Sequence, residues 1–140
     1  MGPLIGIVDD DVLVLRALGR LLRAEGFAVT TFGSGEDLLA SDRLERIACL
    51  VLDIHLGGLS GFDIHEKLAS TGHAIPTIFI TAHDDALTWE RALGSGPLTC
   101  LRKPFEDRSL LAAIHMATAR AGEANRAHRL PNSTRTGPPW

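Results

Sequence analysis

Cys49-Leu50-Val51-Leu52-Asp53 is a run of four apolar residues closed by an acid. Such a strand has no polar side to turn toward water, so it belongs at the centre of a sheet covered on both faces, as in parallel α/β sheets. Downstream, the Gly-rich loop Gly57-Gly58-Leu59-Ser60-Gly61 leads into a helix from about Phe62 to Ala69, and Pro76 precedes a strand from Thr77 to Thr81. Upstream, Leu4 to Val8 forms a first strand that ends at Asp9-Asp10-Asp11, whose last acid is a natural helix cap. The helix behind it runs to about Glu25, with Val14, Leu18, Leu21 and Leu22 at helical spacing and Gly26 as its stop. Phe27 to Phe32 is a second strand, and Gly33-Ser34-Gly35 opens a short helix through Leu38 and Leu39. Beyond strand four come a polar helix ending near Gly94 and Gly96, a fifth strand from Leu98 to Arg102, and a last helix headed by Pro104. Leu110, Ile114, Ala117 and Ala121 line one face of that helix. Five strands alternating with five helices predict a doubly wound α/β fold around a parallel sheet, for which the order 2-1-3-4-5 is common.

At 140 residues the chain has the length of one domain, and 45 % hydrophobic with 22 % charged residues suits a soluble globular fold. A net charge of −3 gives no reason for the folded part to bind nucleic acid. No apolar run reaches the roughly 18 residues of a membrane span. Leu4 to Val8 is too short for a secretory apolar region and runs straight into acids, so the expected location is cytoplasmic. Cys49 and Cys100 are the only cysteines. Strands three and five, with strand four between them, lie about 10 Å apart, too far for a disulfide. The periodic pattern lapses after about Ala121, which divides the chain into a domain at 3–121 and a tail at 122–140. The tail, with Arg126, Arg129 and Arg135 and ending Gly137-Pro138-Pro139-Trp140, reads as a linker or disordered end.

In open parallel sheets the ligand crevice lies beyond the carboxyl ends of the strands, where strand order reverses. Strand one delivers Asp9 and Asp10 to that edge, strand three Asp53, strand four Thr81 and strand five Lys103. Crowded carboxylates raise one another's pKa unless a cation sits between them. Hard oxygen ligands of this kind suit Mg²⁺, which often shares its coordination with phosphate. Lys103 adds a positive charge and Thr81 a hydroxyl, together a cradle for a phosphoryl group gaining negative charge. A carboxylate can itself be the nucleophile, forming an aspartyl phosphate, and the central Asp53 is the best placed of the three. Taken singly, Asp11 is a helix cap, Thr81 an ordinary strand end and Lys103-Pro104 a helix start. It is the convergence of the set that signals a site.

Val8-Asp9-Asp10-Asp11, Leu52-Asp53, Gly61, Thr81-Ala82 and Lys103-Pro104-Phe105 resemble, in order and spacing, the motifs of response-regulator receiver domains of bacterial two-component signalling, the flavodoxin/CheY-like fold. The resemblance spans about Leu4 to Ala119, and Thr81-Ala82-His83-Asp84-Asp85 looks most like the FixJ-like subgroup. It implies that Asp53 accepts a phosphoryl group from the phosphohistidine of a sensor histidine kinase or phosphotransfer protein. It implies that Asp10, Asp53 and the backbone carbonyl of His55 bind Mg²⁺, with Asp9 acting mainly through water. Thr81 and the amide of Ala82 would bind phosphoryl oxygens, and Lys103 would pair with the phosphoryl group. The readout would be a repacked face of the fourth helix, fifth strand and fifth helix (α4-β5-α5), through which a homodimer could form. On this reading the chain is a signalling domain that supports only its own phosphotransfer and dephosphorylation.

Three positions depart from the family pattern: Cys100 stands where strand five usually holds Tyr or Phe, Gly57 replaces a common Pro, and Gly94-Ser95-Gly96-Pro97 interrupts the entry to strand five. None removes a group of the acidic, Thr and Lys set. The alternative is a degenerate, unphosphorylated receiver that serves as a protein-binding module. A haloacid-dehalogenase-type phosphatase shares the Asp, Mg²⁺, Thr and Lys set but needs a second acid where this chain has His55. His55 and His83 lie near the mouth of the site, where they could tune the lifetime of an acyl phosphate or, with the acids, offer ligands to a transition metal. No helix-turn-helix pattern follows Ala121, which leaves open a single-domain regulator or a piece of a longer one.

Overall fold

The computed structural model describes residues 2–82 and 99–119. Along the chain run β1 (Leu4–Val8), α1 (Val12–Ala24), β2 (Ala28–Phe32), α2 (Gly35–Leu39), a 3₁₀ turn (Leu44–Arg46), β3 (Ile47–Asp53), α3 (Gly61–Ser70), β4 (Thr77–Thr81) and β5 (Thr99–Arg102). A C-terminal helix covers 107–119. The strands form one sheet in the order β2-β1-β3-β4-β5, and all four pairings are parallel. The fold and strand order are those expected. The helix expected before Gly94, the Gly94–Pro97 segment, His83 and the tail lie outside the described residues.

Local chemistry sets the helix ends. Asp11 caps α1 by accepting the Leu13 N–H at 2.9 Å. At the other end Gly26 (φ 95°) donates to Arg23 O at 3.0 Å and Phe27 to Leu22 O at 3.1 Å, a Schellman termination in which only glycine sits without strain. The same pair of bonds, Gly72 to Ala69 O and His73 to Leu68 O, closes α3. Ser60 and Asp63 form a reciprocal capping box at the start of α3, with bonds of 3.1 and 3.2 Å.

Alternation along the strands divides the core between the two sheet faces. Ile5, Ile7, Cys49, Val51, Ile78 and Ile80 pack with α1 and the C-terminal helix. Val8, Leu50, Leu52, Phe79 and Cys100 pack with α2 and α3. Cys49 and Cys100 therefore occupy opposite faces, a second reason that they do not bridge; both are free and buried. Burial pushes the Cys49 thiol up to about 12 and the Cys100 thiol to about 11, so both behave as small apolar residues. Among the described residues no helix is long and apolar enough to cross a membrane.

Two boundaries differ from expectation by two residues or more. β3 starts at Ile47, two residues early, because Ile47 pairs with Leu4 and is 5 % exposed, its entry set by the 3₁₀ turn. Pro104 does not head the last helix, which begins at 107. The Lys103 N–H still bonds to Thr81 O at 2.7 Å, so the chain is leaving the sheet at that point and cannot yet coil.

Leu22 is fully buried between α1 and the sheet. Leu22→Ala is expected to lower stability by about 2–5 kcal/mol, read as a lower urea midpoint with an unchanged slope.

Candidate functional site

The carboxyl edge of the sheet brings the predicted residues together. Asp9 follows β1, and its N–H donates to Phe32 O at 3.1 Å, which carries the sheet one residue past the strand. Asp53 ends β3 and Thr81 ends β4; Asp9, Asp53 and Thr81 are 4 %, 7 % and 0 % exposed. Asp10 is exposed, and Ala82 lies exposed just past Thr81. Carboxylate oxygens of Asp9, Asp10 and Asp53 all lie within 4.8 Å of one another.

Lys103 reaches into this cluster from the end of β5. Its Nζ stands 3.0 Å from Asp9 Oδ2 and 3.5 Å from Asp53 Oδ2. The remaining oxygens are engaged by backbone: Asp9 Oδ1 accepts the Asp11 N–H at 2.9 Å, and Asp53 Oδ1 accepts the His55 N–H at 3.1 Å. Each buried acid is thus fixed by one amide and one ammonium, while Asp10 faces solvent.

Burial is the main influence on Asp53 and pushes its carboxyl above the usual value of 3.8. Lys103 and the His55 amide oppose that rise, and the neighbouring Asp9 charge adds to it. Burial acts to lower Lys103, but its hydrogen bond to Asp9 and the charges of Asp53 and Asp9 carry it above 10.5. Among the described residues one ammonium faces three carboxylates, an excess of negative charge and of hard oxygen donors. That donor set fits a small divalent cation.

The loop after β3 shapes the rim. A side chain at Gly57 would meet only Asp10 Oδ2 at 3.8 Å, so space alone does not require glycine there. At Gly58 a Cβ would come within 3.0 Å of Glu36 Oε2, a carboxylate of α2 that sequence reasoning did not connect with the site. Direct pairing of Lys103 with Asp9 was also not foreseen; the residues are 94 positions apart and nothing local in the sequence links them. The Ser60–Asp63 box was legible as Ser-x-x-Asp but was not read. Asp11 acts as the cap, as expected.

A carboxyl raised by the fold holds its proton more tightly in the native chain than in the unfolded one. Stability from this group is therefore greatest at acid pH and falls as pH rises from about the ordinary 3.8 through the raised value. Lys103, also raised, favours the fold below 10.5 and loses that contribution as pH passes its folded value. In metal-free buffer at neutral pH, Asp53→Asn is expected to raise the urea midpoint, with the gain shrinking on acidification. A midpoint equal to or below wild type would mean that Lys103 and the His55 amide outweigh burial.

Comparison with known proteins gives a consistent picture. The family model for the response regulator receiver domain matches residues 5–115. Nodulation protein W of Bradyrhizobium diazoefficiens is 42 % identical over 123 residues, 88 % of this chain and 54 % of that protein. Transcriptional regulatory protein FixJ of Azorhizobium caulinodans is 33 % identical over 121 residues, 86 % of this chain and 57 % of its own length. The solved structure of the response regulator StyR superposes with a TM-score of 0.87 at 37 % identity, covering 97 % of this chain and 69 % of that one. The chain spans about half the length of the curated relatives it matches.

Proposed function

This chain belongs to the response regulator receiver family of two-component signalling, and from that premise we propose that it accepts a phosphoryl group on Asp53. The observation that carries the reading is the placement of Asp53, 7 % exposed, with Asp9 and Asp10 oxygens within 4.8 Å and Lys103 Nζ at 3.5 Å. A carboxylate oxygen of Asp53 attacks phosphorus; the phosphorus–nitrogen bond of a donor phosphohistidine breaks and its electron pair returns to the imidazole ring. The product is an acyl phosphate. Lys103 meets the negative charge that gathers on the phosphoryl oxygens, and the Thr81 hydroxyl and Ala82 amide bind those oxygens.

Asp10, Asp53 and the His55 carbonyl would hold Mg²⁺, with Asp9 contributing through water. The chemistry such an ion would supply is positive charge to offset that of the carboxylates and the phosphoryl oxygens. Val12 and Leu13 are 55 % and 68 % exposed in the first turn of α1, two and three residues beyond Asp10. An apolar lip at the rim favours a protein as donor, in keeping with a sensor histidine kinase or phosphotransfer protein in the cytoplasm.

Output would be read at the α4-β5-α5 face that the family resemblance implies, of which the helix expected before Gly94 lies outside the described residues. On β5, Cys100 is buried in register with Phe79 and packs on the α2–α3 side of the sheet, so no aromatic ring at that position follows Thr81. Coupling to a homodimer or target is accordingly altered from the family habit, while phosphorylation keeps all its groups.

Intact mass after incubation with acetyl phosphate, with and without Mg²⁺, tests the reading. A single phosphate adduct is expected only with Mg²⁺ and only in wild type, not in Asp53→Asn. An adduct of equal intensity in the variant would remove Asp53 as acceptor; none in folded wild type would favour a binding module.

A further inference from the structure

Gly61 opens α3 and is buried against the end of β3. Its N–H donates to Ile54 O at 2.9 Å, which closes the loop that carries His55. A Cβ at this position would stand 2.7 Å from the Asp53 carbonyl oxygen, 2.9 Å from Ile54 Cα and 3.3 Å from the Asp53 carbonyl carbon. All three are backbone atoms, so no side-chain rotation relieves the overlap. Gly61 does not have the positive φ of Gly26 and Gly72. Space, not backbone conformation, therefore excludes a side chain.

Both sides of this contact are pinned. Ile54 N–H bonds to Ile80 O at 2.9 Å, and the His55 N–H holds Asp53 Oδ1 at 3.1 Å. On the other side the Ser60–Asp63 box fixes the first turn of α3, and Phe62 and Ile64 are sunk in the core at 6 % and 0 % exposure. An added methyl group must shift either α3 or the Asp53–Ile54 backbone from its seat, and either shift loosens the contact that holds this segment.

We propose that Gly61 is a positioning residue for the phosphoacceptor, its missing side chain letting α3 seat directly on the Asp53–Ile54 backbone and so fixing both the Asp53 carboxylate and the His55 carbonyl. This rests on Asp53 as acceptor. A misplacement of about 1 Å at a reacting group can slow a reaction by about a hundredfold.

The test compares Gly61→Ala with Gly35→Ala on the full chain. Gly35 is also buried, but a Cβ there would meet the far end of the Ile64 side chain, which can rotate, and Leu59 Cβ at 3.6 Å, with no contact to the Asp53–Ile54 backbone, so it separates crowding under α3 from direct overlap with that backbone. Three quantities are read: Mg²⁺ affinity by titration, the acetyl phosphate labelling rate at saturating Mg²⁺, and backbone amide shifts of Ile54 and His55 without Mg²⁺ or donor. In Gly61→Ala, Mg²⁺ affinity is expected to fall about tenfold and labelling about ten- to hundredfold, with both amides shifted. Gly35→Ala is expected to stay within about twofold of wild type in both, with the amides unmoved, even where its urea midpoint drops.

Wild-type values in a folded Gly61→Ala, or equal losses in Gly35→Ala, would overturn the proposal. If wild type itself takes neither Mg²⁺ nor phosphate, the phosphoacceptor reading fails, and the amide shifts alone decide whether Gly61 sets that backbone. Should Gly61→Ala not fold, Ser60→Ala, which releases only the helix cap, is expected to shift the same amides and weaken Mg²⁺ binding about threefold; no change in either would overturn the proposal.

Discussion

Two carboxylates, Asp9 and Asp53, are buried side by side at the carboxyl edge of a parallel sheet, and the local structure is organised around keeping them there. Isolated, either charge would be costly to remove from water. Each instead receives one backbone amide on one oxygen and shares the Lys103 ammonium on the other. This compensation is incomplete, since Asp53 remains raised and a third carboxylate, Asp10, stands within reach on the solvent side. A site left with excess negative charge is poised for a cation, and a site with one exposed acid leaves the cation a way in.

Strand topology makes this arrangement possible without long loops. Parallel strands all end their carboxyl termini at the same edge, and the order β2-β1-β3-β4-β5 sets β1 directly beside β3. Asp9 and Asp53 become neighbours because Val8 pairs with Leu52, one residue before each acid. The sheet continues beyond β4 and β5 through Lys103 N–H to Thr81 O, and this bond aims the lysine back over the acids instead of into a helix. The supports on the far side are helices whose ends are fixed by short-range chemistry, the Asp11 cap of α1 and the Ser60–Asp63 box of α3.

Much of this was legible in the chain. Apolar runs ending in Asp9, Asp53 and Thr81 marked both the strands and the edge they share, and Gly26 marked the end of α1 through the conformation it alone adopts freely. Cys49 and Cys100 were readable as unpaired from strand spacing; the sheet adds that they lie on opposite faces. The early start of β3 was hidden because the 3₁₀ turn before it carries no strong local signal. The late start of the C-terminal helix was hidden because Pro104 suits a helix start locally while a sheet bond at Lys103 overrides it.

The sequence by itself determined the fold class and the identity of the polar groups at the edge, because periodicity and strand-end chemistry are local and repeat along the chain, while the strand order, expected only as the common one, rests on the pairings of the folded sheet. Tertiary structure alone decided which oxygen of each acid meets an amide and which meets Lys103. It alone decided that burial outweighs that lysine at Asp53, and that Gly61 must lack a side chain. Those outcomes depend on distances between segments far apart in sequence, Asp9 and Lys103 by 94 residues. Such distances are fixed by how helices seat on the sheet to within a few tenths of an ångström, a scale that no pattern of residue types encodes.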